Sequence, residues 1–263
     1  MTSPDFLNDH PFHQRHGEIT SFYAPPPIGD GGTITLPAEE MYHARAACRL
    51  KQGDPITIVD GHGLAHFCEV ITATPKKFMA RVVKTVKHWG EPPVAVHLAA
   101  GLSKGSKFDW TCEKATELGA SRIIPLVSEK SAVKIDDLAA EKRRIARYRR
   151  IALAAMKQSL RSVWPEVGSI CALNDLIGTF DAYHRVLIGD PTRGSIPFEK
   201  AAELISSARK TLLIVGPESG FASSEIERLR QNGAISVSLG PRRLRTETAA
   251  IAFLTRIVGV FEP

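Results

Sequence analysis

The rhythm of apolar and polar positions changes near residue 90. Before it, short apolar or alternating runs are separated by turn residues, at 31–37, 55–61, 65–71 and 78–83. Runs of this length, rich in Val, Ile, Phe and Thr, predict strands. Asp60-Gly61-His62-Gly63 predicts a tight turn between two of them. One helical pattern, 38–50, interrupts the series and carries His43, Arg45 and Arg49, with Lys51 just beyond it. The pattern predicts a small β-barrel domain over 18–90 with a basic helix or loop on its side. His88-Trp89-Gly90-Glu91-Pro92-Pro93 is polar and rich in Pro and Gly, which predicts a linker.

Beyond the linker, apolar runs alternate with helical periodicity. Strands are predicted at 94–100, 123–127, 185–188, 212–215 and 236–239, and helices at 107–118, 138–160, 198–208, 223–232 and 246–260. Alternation of this kind predicts an α/β domain over 91–263, a mostly parallel sheet with helices on both faces. Two of the predicted strands run into Gly-Pro turns, Gly216-Pro217-Glu218-Ser219-Gly220 and Leu239-Gly240-Pro241-Arg242-Arg243-Leu244-Arg245. Open α/β sheets bind ligands at the carboxyl ends of their strands. Proline there fixes φ, and glycine lets the backbone approach a ligand with no Cβ in the way. Two such turns in succession predict one site.

Composition adds a partner. The 263 residues hold 34 Lys and Arg against 28 Asp and Glu, a net charge of +6. That balance favours a polyanion, with a modestly basic enzyme as the alternative. Lys142, Arg143, Arg144, Arg147, Arg149, Arg150, Lys157 and Arg161 crowd one segment, whose apolar stripe leaves two readings, a solvated face or an RNA contact. Cys48, Cys68, Cys112 and Cys171 are scattered, with no metal-ligand spacing, which predicts no metal and a reducing, cytoplasmic compartment. No apolar run is long enough to cross a bilayer, so no membrane partner is expected. The opening stretch to about Gly17, with His10, His13 and His16, reads as a frayed polar tail, with a metal site as the alternative. Trp89 and Trp164 read as packing residues, with base-stacking platforms as the alternative.

The chain contains no G-x-x-x-x-G-K-[ST], no G-x-G-x-x-G after the first strand of the α/β region, no HExxH and no G-x-S-x-G. These absences argue against P-loop, dinucleotide and common hydrolase sites. The Gly-rich turns lie at the end of the α/β region instead of its beginning, and in this the chain resembles the SPOUT methyltransferases. Within them it is similar to the RsmE family, the 16S ribosomal RNA uridine N3-methyltransferases. Matching segments are His43–Arg49, Asp60-Gly61, Ser103–Lys107, Lys114–Gly119, Ile124–Ser131 and the two Gly-Pro turns with Thr246-Glu247-Thr248-Ala249. Ser219 stands where the family has Gly. In the stretch where the family has Glu-Gln-Ser/Cys-Gly-Arg, this chain has Lys157-Gln158-Ser159-Leu160-Arg161.

The resemblance implies a trefoil-knotted C-terminal domain, a PUA-like N-terminal module and a homodimer. It implies S-adenosyl-L-methionine (SAM) held by Ile188, Gly189, Val215, Gly216, Pro217, Glu218, Gly220, Leu239, Gly240, Arg242, Leu244, Arg245 and Thr248, with Asp190 beside them. It implies 16S ribosomal RNA or the small ribosomal subunit as partner, contacted by Arg45, Arg49, Lys51, Lys104, Lys107, Gln158 and Arg161. Arg245 and Arg161 are the candidate cations for methyl transfer. Glu247 has two readings, a base or a complement to the dipole of a last helix capped by Thr246. Two rivals remain open: methylation of a ribose 2′-oxygen or another base, and an RNA-binding protein without methyl transfer.

Overall fold

A computed structural model describes residues 21–27, 32–133, 137–192 and 194–262. The polar opening stretch with its three histidines, and the domain start at residue 18, lie outside the described residues. The chain divides into two compact units, Met1–Glu91 with Ala154–Trp164, and Pro92–Leu153 with Pro165–Pro263. Residues 154–164, expected in the C-terminal domain, therefore belong with the first unit.

In the first unit, β1 (Ser21–Tyr23) and β2 (Thr33–Thr35) precede a short helix α1 (Ala38–Tyr42). β3 (Pro55–Val59), β4 (Leu64–Ala73) and β5 (Phe78–Lys87) follow. The sheet runs β1-β3-β4-β5-β2, with β1 parallel to β3 and the other pairs antiparallel. Its inward residues Phe22, Ile34, Ile56, Ile58, Cys68, Val70 and Phe78 form one buried cluster. Among the described residues β1 and β2 end the sheet without pairing each other.

The helix expected over 38–50 is shorter. It passes into a π-helical turn at His43–Ala47 and stops, and Arg49 takes φ 54°. The expected linker is not a loose connector. Trp89 packs edge-on against Phe67 with ring centroids 5.2 Å apart, its carbonyl accepts the Ser162 N–H, and Glu91 is buried. Trp164 packs likewise on Tyr23.

The second unit begins with β6 (Ala95–Gly101), α2 (Lys107–Glu117) and β7 (Arg122–Val127). α3 (Leu138–Gln158) begins here, and its residues from Ala154 belong to the first unit. Then come β8 (Glu166–Val167), β9 (Cys171–Ala172), α4 (Leu173–Ile177), β10 (Arg185–Gly189), α5 (Phe198–Ile205) and β11 (Lys210–Val215). α6 (Ser223–Gln231), β12 (Ile235–Val237) and α7 (Thr246–Val258) complete it. The sheet order is β12-β10-β11-β6-β7-β8, and every pairing is parallel.

Side chains alternate across a strand, so each face can take its own helices. Ala99, Ile188, Leu212 and Ile214 join Leu173 and Leu176 of α4 and Leu229 of α6 in one cluster. α7 packs on β6, β11, β10 and α2 with Phe253, Leu254 and Ile257 buried and outside that cluster. The chain thus leaves edge strand β12 and returns through α7 to the middle of the sheet.

Candidate functional site: a cavity at the strand ends

β10, β11 and β12 end side by side, and the loops that leave them surround a cavity of about 810 Å³. Gly189 to Thr192 supply one wall, Val215 to Phe221 another, and Ser238 to Leu244 a third. Ile226, Thr246 and Ala249 complete the lining. Both Gly-Pro turns line this one cavity.

Specific contacts hold the loops. Thr246 Oγ donates to the Gly216 carbonyl at 3.1 Å, tying the start of α7 to the first Gly-Pro turn. Arg245, with ψ 156°, occupies the N-cap position expected of Thr246, whose hydroxyl is engaged elsewhere. Asp190 is buried, and its carboxylate accepts the Thr192 N–H at 2.9 Å and Arg230 Nη2 at 3.0 Å. Arg230 Nε also donates to Ser236 Oγ, so one guanidinium bridges the end of β10 to β12. Glu225, also buried, accepts the N–H groups of Ala222 and Glu129 at 2.8 Å each. Glu218 pairs with Lys107 from α2.

Three glycines show why the backbone is bare here. Gly240 has φ 115°, a region that side chains rarely enter. Gly101, at the end of β6, lies so close to the first turn that a Cβ on it would sit 2.4 Å from Pro217 N. Gly216 is not at positive φ; a Cβ there would meet the Phe221 ring at 3.1 Å, so its constraint is steric.

Residues 90–258 match a family described as an RNA methyltransferase domain. The ribosomal RNA small subunit methyltransferase E of Bacillus subtilis is 32% identical over 234 residues, covering 88% of this chain and 91% of that protein. The chain belongs to the ribosomal RNA small subunit methyltransferase E family. A member from Neisseria gonorrhoeae, solved bound to S-adenosyl methionine, superposes with a TM-score of 0.82 at 25% identity, covering 93% of this chain and 98% of that one. A Legionella pneumophila protein in complex with SAM has a TM-score of 0.81 at 28% identity, over 92% and 98% of the two chains.

Against this family frame, ten of the residues expected to hold cofactor line the cavity: Gly189, Val215, Gly216, Pro217, Glu218, Gly220, Leu239, Gly240, Arg242 and Leu244. Three do not. Ile188 faces the α4–α6 side of the sheet, Arg245 is exposed just before α7, and Thr248 is exposed on its first turn. Ser219, Phe221, Ser238 and Thr246 line the cavity outside the expected cofactor set, although the two turns contain or flank them.

The expected catalytic and RNA-contacting residues are divided between the two units. The Arg161 side chain is 2% exposed, and its Nε and Nη2 donate to Glu91 Oε2 at 3.1 and 2.5 Å. The same carboxylate takes the N–H groups of Ser162 and Val163, so Arg161 closes a buried network and does not line the cavity. Leu160, at the family's glycine position, has φ 59°, the conformation that favours glycine. Glu247, on the first turn of α7, has Oε2 buried with no hydrogen-bond partner among the described residues and does not line the cavity. Arg49, Lys51, Lys104 and Gln158 are exposed and Arg45 is half-buried. Lys107 is engaged by Glu218.

Proposed function

We propose that this protein is a SAM-dependent methyltransferase of 16S ribosomal RNA that modifies N3 of a uridine. The observation that carries the reading is the convergence of both Gly-Pro turns with the β10 loop on one cavity. Its volume lies within the range of about 300–1,000 Å³ usual for small-molecule sites. Its lining combines apolar Phe221, Ile226 and Leu239 with backbone at Gly216, Gly220 and Gly240 and with Thr192, Ser238 and Thr246. That mixture fits a molecule with an aromatic base, hydroxyl groups and a charged amino-acid end.

Bound SAM supplies a methyl group already activated on a sulfonium, so the protein's part is proximity and orientation. In the proposal the cofactor is held by the cavity-lining members of the expected set, with Asp190 shaping the loop after β10. Uracil N3–H is a weak acid, so a group or a water must take its proton while a cation stabilises the resulting anion. Arg245 is proposed as that cation, since it is exposed beside the cavity-lining Leu244 and Thr246. Glu247, two residues further, is proposed as the proton acceptor; its buried unpaired oxygen favours this over a purely dipolar role. Arg161 is omitted because its guanidinium is engaged by Glu91.

The RNA, free or within the small subunit, is proposed to contact Arg45, Arg49, Lys51 and Gln158 of the first unit and Lys104 and Lys107 of the second. A PUA-like identity for the first unit, a trefoil knot through α7, a homodimer and a cytoplasmic location belong to the same proposal. Among the described residues no helix is long and apolar enough to cross a membrane. The test is transfer of labelled methyl from SAM to small ribosomal subunits by the purified protein. Label in 16S RNA is expected; SAM binding without transfer to any RNA would favour an RNA-binding protein.

A further inference from the structure

α3 carries seven cations between Lys142 and Lys157 and no carboxylate in that span. The structure sorts them. Lys157 is held by Glu40 at 2.5 Å, and Arg149 donates to the Val167 carbonyl at 3.2 and 3.3 Å. Of the other five, Arg143, Arg147 and Arg150 share one side, at i, i+4 and i+7, the spacing that aligns residues along a helix face, and the exposed Lys142 and Arg144 flank it. Ile145, Tyr148 and Ala152 occupy the buried side.

The three arginines are well exposed, the Arg143 and Arg147 side chains at 73% and 59%. Two carboxylates reach them: Asp137 stands 3.7 Å from Arg143, and Asp109 pairs with Arg147. The Arg143–Asp137 pair is exposed on both sides and Asp109 holds Arg147 from a largely buried position, so each guanidinium keeps an open side on which a polyanion can compete. The column spans about 10 Å along the helix at 1.5 Å per residue, and none of its members lines the cavity.

We propose that Arg143, Arg147 and Arg150 form a docking face for the phosphate backbone of the RNA substrate, separate from the site of methyl transfer. This rests on the reading of the protein as an RNA methyltransferase. A guanidinium stays charged and presents a planar fork that matches phosphate oxygens in pairs, and three in a row offer successive anchors to a chain of phosphates. Such contacts position an RNA without reading its sequence, and they strengthen binding remote from the reacting base.

The test compares the full-length protein with R143Q/R147Q/R150Q for binding to 16S RNA transcripts across a salt series, with SAM affinity and thermal unfolding measured alongside. The slope of log K against log[salt] is expected to fall by about two to three in the variant, from about 0.7–0.9 per phosphate contact. SAM affinity is expected to stay within about twofold, since removing remote charges leaves the cavity intact. The all-lysine variant is expected to recover most of the slope.

An unchanged slope, with wild-type protein methylating the RNA, overturns the docking face and leaves the proposed reaction standing. A wild-type protein that neither binds nor methylates RNA overturns both. A variant that loses SAM affinity in parallel marks a damaged fold and overturns the separation claimed here. Loss of binding to poly-glutamate with RNA binding intact assigns the face to an acidic protein instead.

Discussion

Replacing Gly101 by alanine should cripple SAM binding, although Gly101 is not among the residues that line the cavity. An added Cβ would lie 2.4 Å from Pro217 N, 2.5 Å from Pro217 Cα and 2.7 Å from the Gly216 carbonyl carbon. These are backbone atoms, so no side-chain rotation relieves the clash. Non-bonded carbon contacts settle near 3.5 Å or beyond, so the Gly216-Pro217 turn must retreat by about 1 Å. Misplacing a positioned group by about 1 Å can cost about 10²-fold, or about 2.7 kcal/mol. Overpacking should also lower stability by about 1–3 kcal/mol. Titration calorimetry with SAM and thermal unfolding of the same preparation separate the two effects. Gly53→Ala is the control: its φ of 89° imposes strain, but a Cβ there meets nothing within 4 Å. It should lose stability and keep SAM affinity. A folded Gly101→Ala protein that binds SAM within about twofold of wild type would refute the claim that this contact sets the turn.

Gly240→Val, which forces a branched side chain to φ 115°, should abolish SAM binding in calorimetry, and Gly216→Val should do so by striking the Phe221 ring. Near-normal affinity in either folded variant argues against these loops as the cofactor site. Arg45→Ala with Arg49→Ala should weaken RNA binding and lower the salt slope by about two while leaving SAM affinity unchanged. Burial, with the Lys210 and Arg122 cations behind it, pushes His97 down to about 4, from about 6.5 in an unfolded chain. Its contribution to stability is therefore present above pH 6.5 and lost as the pH falls towards 4, a change of about 3 kcal/mol. Denaturant unfolding across that window should show this loss in wild type and its disappearance in His97→Asn.

Much of the sheet was legible because its strands are apolar runs bounded by Gly, Pro or charged residues; β6, β7, β10 and β11 fall within two residues of the expected limits. Elements too short to carry a period were not. β8 and β9 have two residues each and α4 five, and Ser21-Phe22-Tyr23 becomes a strand only by pairing with β3. The cavity was readable from its two Gly-Pro turns, whose special backbone requirements leave a mark on residue type. Long-range polar partners leave no such mark. In the sequence Arg161 reads as an available cation because its partner Glu91 is 70 residues away, and nothing marks Arg230 because Asp190, 40 residues before it, becomes its partner only when β10 and β12 pair.

The central claim is that the cavity at the ends of β10, β11 and β12 delivers methyl to N3 of a uridine in 16S RNA. The most direct measurement is mass spectrometry of nucleosides from small subunits methylated by the purified protein, run against 3-methyluridine and 2′-O-methyluridine standards. The account predicts 3-methyluridine in wild type and none with Gly240→Val. A 2′-O-methyluridine product, or 3-methyluridine from a Gly240→Val protein that no longer binds SAM, would contradict it.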